Sequence, residues 1–185
     1  MRQILLMLTF FATAASAAPS YDFMDLSAVG IGYAQPGASP DDDAVGVRFR
    51  SSLAFDDEWF WAFEAGLVEY NAERGNQWKT GLGYAFPLDS IDIAVKVEYG
   101  RIDFGLASGD GFSWDAQLRS ATWEHFELNA HLGQGNVDPV DSFLRYGVGM
   151  LWTPGDSFGF TVEYDLATGD QVDLYAYAVG VRWSF

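Results

Sequence analysis

Large apolar residues alternate with small or polar residues along most of the chain after residue 20. The alternation has a period of two, which is typical of β-strands because successive side chains of a strand point to opposite faces. At the C-terminus the large positions are Tyr175, Tyr177, Val179, Val181, Trp183 and Phe185. The whole pattern predicts ten strands, at residues 23–35, 44–55, 59–71, 77–87, 91–104, 112–123, 126–135, 143–152, 158–167 and 172–185.

Turn residues separate the strands, and long connections alternate with short ones. The long connections are QPGASPDDD, AERGN, GLASGDG, NVDPVD and TGDQ, and the short ones are DDE, DS, EH and PGDS. Both chain ends then lie on the side of the short turns, which requires an even number of strands. A β-bulge is predicted near Gly100 and Arg101, where the alternation slips. No domain boundary is visible, so residues 18–185 are predicted to form one domain.

The first 17 residues have the features of a Sec signal peptide. Arg2 is the positive n-region, Ile4 to Ala12 form a short apolar h-region, and Ala15-Ser16-Ala17 is a small-residue cleavage pattern. We therefore expect residues 1–17 to be removed after Sec-dependent export. The absence of cysteine excludes a disulfide framework and thiolate chemistry.

The strand face opposite the large apolar residues is rich in glycine and carries balanced charge. It contains Gly30, Gly32, Gly46, Gly66, Gly81, Gly83, Gly100, Gly133, Gly147, Gly149 and Gly180. Its seven bases are Arg48, Arg50, Lys79, Lys96, Arg119, Arg145 and Arg182, and its seven acids are Glu64, Glu98, Asp115, Glu127, Glu163, Asp165 and Asp173. An enclosed face must pair its charges, because an unpaired buried charge is costly. We predict a lumen with a charge network, in which Arg182 pairs with Glu163 or Asp165 of strand nine.

Aromatic residues border the predicted connections at both strand ends. Trp59, Phe86, Trp123, Phe126, Trp152, Phe158 and Trp183 border the short turns, and Tyr70, Trp78, Tyr99, Phe112, Trp114, Tyr164 and Tyr175 border the long ones. Two such belts are typical of membrane proteins, whose aromatic rings prefer the headgroup level. The fold class is therefore all-β: a closed antiparallel transmembrane β-barrel, with ten strands or, as the alternative, eight. Short turns and both termini are predicted to face the periplasm. A soluble periplasmic β protein is the competing interpretation.

The segment YGVGMLWTPGDSFGFTVEYDLATGDQVDLYAYAVGVRWSF (146–185) resembles the last strands of OmpA-type and OmpX-type outer-membrane barrel domains, and VKVEYGRIDFG (95–105) resembles the same unit. The resemblance implies an outer-membrane location. It also implies that the last strand is an assembly signal for the barrel-assembly machinery, carried by Tyr177, Val181, Trp183 and Phe185. Members of that family have eight strands, whereas the pattern here predicts ten.

The sequence offers little sign of catalysis. Lipid A deacylases of this class resemble the chain in size, but they use a His-x-Ser pair, and Gly133 stands where that serine would follow His131. A lipid-modifying enzyme is therefore the third choice. We expect no cofactor and no enzyme activity. The first choice is a structural or interaction barrel with a plugged polar lumen, and the alternative is a narrow, weakly cation-selective pore for ions or small solutes.

Charge also restricts the partners of the chain. There are 10 basic and 26 acidic residues, which argues against nucleic-acid binding. The expected partners are outer-membrane lipids, the barrel-assembly machinery and divalent cations at the acidic loops, above all at Asp41, Asp42 and Asp43. Acidic loops at a mouth also favour cations over anions.

Overall fold

A computed structural model describes residues 20–33, 44–70, 73–88, 91–103, 108–123, 125–138, 141–169 and 173–185. The described residues form ten strands: β1 (Phe23–Tyr33), β2 (Ala44–Ala54), β3 (Trp59–Tyr70), β4 (Glu73–Leu88), β5 (Ile91–Asp103), β6 (Ser108–Trp123), β7 (Phe126–Val137), β8 (Asp141–Trp152), β9 (Phe158–Gly169) and β10 (Asp173–Ser184). The predicted signal peptide and the Asp41–Asp43 run lie outside the described residues.

All strands pair antiparallel with their sequence neighbours, and β1 pairs with β10 to close the barrel. Closure removes the free edges, so every strand has a hydrogen-bonded neighbour on both sides. The predicted fold class is thus confirmed, with ten strands rather than eight. We call the end at which Phe23 pairs with Ser184 the terminal end, and the opposite end the distal end. No α-helix among the described residues is long and apolar enough to cross a membrane.

Two strands begin four residues earlier than the sequence predicted, and β8 begins two residues earlier. β4 begins at Glu73 and β6 at Ser108, so the hairpin ladders continue into parts of AERGN and GLASGDG. Glycine and polar residues do not prevent this extension, because a ladder needs only backbone partners. The bulge predicted near Gly100 and Arg101 was wrong, since the register is continuous there on both sides. The irregularity lies instead between Ser120 and Trp123 of β6.

Large apolar side chains cover the outer wall. Leu67, Val95, Val148 and Val179 are among the exposed residues, at 39 to 60% of their full accessibility. Most charged residues of the strand centres lie inside and are buried. This inversion of the usual soluble pattern is suited to lipid contact.

Aromatic rings contact one another along the outer wall at both ends. Near the terminal end, Trp123, Phe126, Trp152, Phe160 and Phe158 form a continuous series across β6 to β9, with centroid distances of 5.3 to 6.3 Å. Toward the distal end, Trp78, Tyr99 and Phe112 form a second series at 6.0 and 5.2 Å. The positions of these series match the headgroup belts of a membrane barrel.

Two glycines assigned to the inner face lie on the outer face instead. Gly30 is paired with Tyr177, and Gly32 with Tyr175, on the outward parity of β1. A Cβ atom at Gly30 would collide with the Tyr177 ring. Gly30 therefore provides the space in which the tyrosine lies across the seam between β1 and β10. The sequence analysis assigned the wrong face of β1 to the lumen. The inward positions of this strand include Asp25 and Ser27, so Gly30 and Gly32 face outward.

Candidate functional site

The lumen is filled in three successive layers, which we name from the terminal end. The terminal layer is aromatic and small apolar, and contains Tyr21, Phe23, Phe60, Ala62, Ala85 and Ala94. The charged layer occupies the middle. The distal vestibule is a cavity of about 460 Å³ whose inward apolar residues are Ile31, Ile102, Val137, Phe143 and Leu174.

The terminal layer is formed partly by the residues that precede β1. Tyr21 enters the barrel and stacks on Phe60, with ring centroids 4.5 Å apart and planes inclined by 20°. The Arg119 guanidinium lies 4.6 Å from the Tyr21 ring centroid, and its Nη2 donates to the Ser20 carbonyl at 3.1 Å. These contacts hold the Ser20–Tyr21 segment across the terminal end of the lumen. Sequence reasoning missed this segment, because it carries no period-two pattern.

Arg119 also forms a bidentate ion pair with Glu127. Its Nε and Nη2 donate to the two carboxylate oxygens of Glu127 at 2.7 and 2.9 Å, and the two side chains are only 3% and 9% exposed. Such a bidentate fork is the geometry that guanidinium and carboxylate groups prefer. Asp92, a buried acid absent from the predicted network, lies opposite Arg119 in the register of β5 and β6.

The central ion pairs join β1, β2, β9 and β10. Arg50 Nη2 lies 2.5 Å from Glu163 Oε1 and 3.0 Å from Asp25 Oδ2. Arg48 forms a short hydrogen bond to Glu163 and lies 3.7 Å from Asp165. Each carboxylate therefore has at least one guanidinium partner, as a buried charge requires.

The predicted partner of Arg182 was wrong. Its Nη2 lies 3.3 Å from Asp25 Oδ2 on β1, and not beside Glu163 or Asp165 on β9. Asp25 is the register partner of both Arg182 and Arg50, so it lies between two cations on the neighbouring strands. Its side chain is fully buried. The one sign of this pair in the sequence was Asp25 itself, which lies two residues before Ser27 at an inward position of β1.

A second set of ion pairs lies on β3, β4 and β5. Lys79 Nζ is 3.5 Å from both Glu64 and Glu98, and Lys96 Nζ is 3.4 Å from Glu98. These distances are longer than those from Arg50 to Glu163, Arg119 to Glu127 and Arg145 to Asp115, which is consistent with compact ammonium groups shared among several carboxylates.

Arg145 and His131 complete the charged layer. Arg145 Nη2 donates to Asp115 Oδ2 at 2.9 Å. His131 Nε2 lies 2.8 Å from Asp165 Oδ1, although the two atoms are not aligned for a hydrogen bond. This pair crosses over Gly147 of β8, where an added Cβ would lie 2.7 Å from His131 Cε1. Glycine at this position is what permits the contact between β7 and β9.

These thirteen residues of the predicted network all lie inside the barrel: Arg48, Arg50, Glu64, Lys79, Lys96, Glu98, Asp115, Arg119, Glu127, Arg145, Glu163, Asp165 and Arg182. Asp173 does not join them, since it shares the outward parity of Tyr175 and Tyr177. With Asp25 and Asp92 added, the described lumen holds eight acids, seven permanent cations and His131.

The lumen contains three cavities, and residues of the charged layer line each of them. Their volumes are about 80, 140 and 460 Å³; the first lies on the terminal side, and the other two lie side by side toward the distal side, where they share Ile31, Gln77 and Leu174. Glu64 and Arg145 line all three, and Arg48 lines the first two. We call the side chains of Glu64 and Arg145, which border all three cavities, the partitions. No group of three or more potential metal ligands occurs in the described part of the chain.

Comparison with known proteins agrees with the fold. A KdgM porin, solved in complex with disordered oligogalacturonate, is 11% identical and has a TM-score of 0.52 over 88% of this chain and 99% of its own. The NanC porin is 9% identical, with a TM-score of 0.51 over 88% and 100%. The translocator domain of the autotransporter NalP from Neisseria meningitidis is 12% identical, with a TM-score of 0.52 over 100% and 94%. The chain has the fold of a small outer-membrane β-barrel.

These identities establish the fold alone. No protein-family model matches the chain, and no curated protein matches it. The finer assignment to the OmpA/OmpX type stays a prediction. In the barrel, three residues of the predicted assembly signal are exposed on the outer face of β10, namely Tyr177, Val181 and Trp183, and Phe185, which follows the strand, is exposed as well. The Phe185 amide donates to the Asp22 carbonyl at 3.2 Å, which extends the seam with the N-terminal segment.

Proposed function

We propose that the protein is an outer-membrane barrel with a structural or interaction role and a lumen closed by ion pairs. In this proposal it is exported by the Sec pathway after loss of residues 1–17, and its termini and short turns face the periplasm. It lies among outer-membrane lipids and is inserted by the barrel-assembly machinery through the last strand. Divalent cations bind at the acidic loops, and the protein has no catalytic role.

The observation that carries this proposal is the partition of the lumen. Glu64 and Arg145 extend from β3 and β8 into the middle of the barrel and line every one of the three lumen cavities. Both side chains are paired, Glu64 with Lys79 and Arg145 with Asp115. Moving either side chain aside leaves a charge without its partner, which is costly in a space of low dielectric. Tyr21 on Phe60 blocks the terminal end in addition.

Planar-bilayer recording tests the closed lumen. The wild-type protein is expected to give no resolvable single-channel steps at 1 M KCl. The double variant Glu64→Ala and Arg145→Ala removes both partitions and should conduct. The matched control is Val148→Ala, which shortens an exposed side chain of the outer wall and should stay silent. Steps of equal size in the wild type and the double variant would overturn the proposal.

A second candidate is a narrow pore. One cavity lies toward the terminal side and two lie toward the distal side of the lumen, and the paired side chains of Glu64 and Arg145 border all three. The similarity in fold to two porins is compatible with this role but does not establish it. If the wild type conducts, the acidic loops should favour cations. The test is the reversal potential under a KCl gradient, repeated with Asp41, Asp42 and Asp43 changed to Asn; a potential of the anion-selective sign would reject a cation-selective pore.

A further inference from the structure

The barrel wall surrounds the distal vestibule on nearly all sides. Among the described strands, only β2 contributes no residue to its lining. Five inward apolar residues from five strands give it an apolar wall: Ile31, Ile102, Val137, Phe143 and Leu174. Its volume of about 460 Å³ lies within the range of small-molecule sites, which are concave and mostly apolar with a few polar groups.

Glycines keep the vestibule open. The lining includes Gly100, Gly111, Gly133, Gly135 and Gly169. An added Cβ atom at Gly100 would lie 2.8 Å from the carbonyl oxygen of Trp78, and one at Gly133 would lie 2.6 Å from the carbonyl oxygen of Trp114. These two positions cannot carry a side chain unless a neighbouring strand moves. The space beside them is therefore a pre-formed part of the fold.

The charges at the floor of the vestibule are already paired. Lys79 Nζ lies 3.5 Å from Glu64 Oε2, and Arg145 Nη2 lies 2.9 Å from Asp115 Oδ2. Arg101 also borders the vestibule, but it occupies an outward position of β5 and is exposed. A charged ligand would lose hydration on entering and would displace an existing ion pair to gain a counter-charge from this floor. The vestibule therefore favours an uncharged ligand.

Two uncharged polar side chains lie just beyond the floor. Gln77 and Ser113 line the vestibule at the next inward positions after Lys79 and Asp115, toward the distal end. An amide and a hydroxyl can both donate and accept hydrogen bonds. They can therefore orient a ligand that carries one hydroxyl or carbonyl group on an apolar body.

We propose that the distal vestibule is a binding site for uncharged, mainly apolar small molecules, with the apolar body among Ile102, Val137 and Leu174 and a hydroxyl or carbonyl group toward Gln77 and Ser113. Apolar burial supplies most of the affinity. This site goes beyond the proposed structural role. It does not depend on whether the lumen conducts or on which end of the barrel faces the periplasm.

The test uses adamantanol as the probe, with adamantylammonium and adamantane carboxylate as charged matches that have the same apolar body. The full-length mature protein is placed in lipid nanodiscs with isotope-labelled methyl groups of isoleucine, leucine and valine. Saturable shifts and probe contacts at Ile102, Val137 and Leu174 are expected with adamantanol, and each charged match should bind at least about tenfold more weakly. Equal or tighter binding of either charged match, or contacts confined to outer-wall residues such as Val148, would overturn the proposal.

Two variants test the cavity itself. Ala167→Trp places a ring in the vestibule, whose wall includes Ala167, and should weaken adamantanol binding at least tenfold. Val137→Thr replaces one methyl group of the wall by a hydroxyl of similar size and should weaken binding about threefold. The controls are Val148→Trp and Val148→Thr, which make the same changes on the outer wall and should leave the affinity unchanged. If Ala167→Trp does not fold, Val137→Thr decides, and wild-type affinity in a folded vestibule variant would contradict the proposal.

Discussion

Replacing Arg119 by Met should strongly destabilise the barrel. The variant removes the guanidinium that binds both oxygens of Glu127, and it leaves this carboxylate in a site where its side chain is 9% exposed. It also removes the hydrogen bond to the Ser20 carbonyl and the contact with the Tyr21 ring. Removing one member of a buried pair costs about 3–5 kcal/mol, and a cation–π contact adds about 0.5–2 kcal/mol.

The expected loss is therefore at least about 3 kcal/mol in the free energy of unfolding. It is measured by urea titration in lipid vesicles, followed by tryptophan fluorescence and by the gel mobility of unheated samples. The control is Arg74→Met, whose guanidinium is 87% exposed and lies 3.8 Å from Glu69. An exposed pair of this kind contributes about 0–1 kcal/mol, so this control should unfold almost as the wild type does.

A second variant distinguishes the loss of the ion pair from the cost of leaving the Glu127 carboxylate unpaired. Replacing Glu127 by Leu in addition to Arg119→Met removes the unpaired carboxylate as well. Because well-packed apolar residues can replace a buried ion pair at little cost, stability should return to within about 2 kcal/mol of wild type. If the free energy of unfolding of Arg119→Met alone lies within about 0.5 kcal/mol of the wild-type value, as for an exposed ion pair, water screens the lumen charges. The account of a sealed charged layer is then refuted.

Three further predictions concern the seam and the membrane. Arg182→Met should destabilise the barrel in the same urea assay, but less than Arg119→Met, because Asp25 loses one guanidinium partner and keeps Arg50 at 3.0 Å; a loss as large as that of Arg119→Met would mean that another acid is the main partner of Arg182. Deleting Phe185 should lower the outer-membrane level far more than deleting Ser39 of the long connection, as seen by immunoblotting of membrane fractions; equal levels would contradict the assembly signal. The folded protein should migrate differently on a denaturing gel before and after boiling, and identical mobility together with purification free of detergent would contradict the membrane barrel.

Much of the architecture follows from the alternation of side chains. Strand β5 shows why: Ile93, Val95 and Val97 face outward because Lys96 and Glu98 must be enclosed and paired. A one-residue slip would exchange all of these positions, so parity identifies the inner face without knowledge of the partners. Strand number follows in the same way, since each hairpin needs its own pair of alternating segments.

The pairing across the seam could not be predicted from local pattern. The contact between Arg182 and Asp25 joins residues that are 157 positions apart, and it depends on the register at which β10 meets β1. That register is set by closure of the entire barrel, because strand number and stagger are linked. Asp92 was missed for a simpler reason, since it occupies the first inward position of β5, where a turn residue and a strand residue look alike in sequence.

The apolar vestibule was also missed. The lining residues Ile102, Val137 and Leu174 lie at strand ends, beyond or near the limits that alternation predicts, and each stands next to an aspartate. In sequence such positions resemble the start of a loop. Their common environment becomes visible only when five strands bring them to one level of the barrel.

Single-cysteine labelling tests the central claim of a sealed lumen most directly, because the natural chain has no cysteine. Ser113→Cys places a thiol in the wall of the vestibule, and Ser27→Cys places one in the charged layer, where Ser27 is 2% exposed. Val179→Cys places a third on the outer wall. In proteoliposomes, a small charged thiol reagent should modify only Ser113→Cys, and all three should react after unfolding in urea. Modification of Ser27→Cys at the rate of Ser113→Cys would show an open lumen and contradict the account.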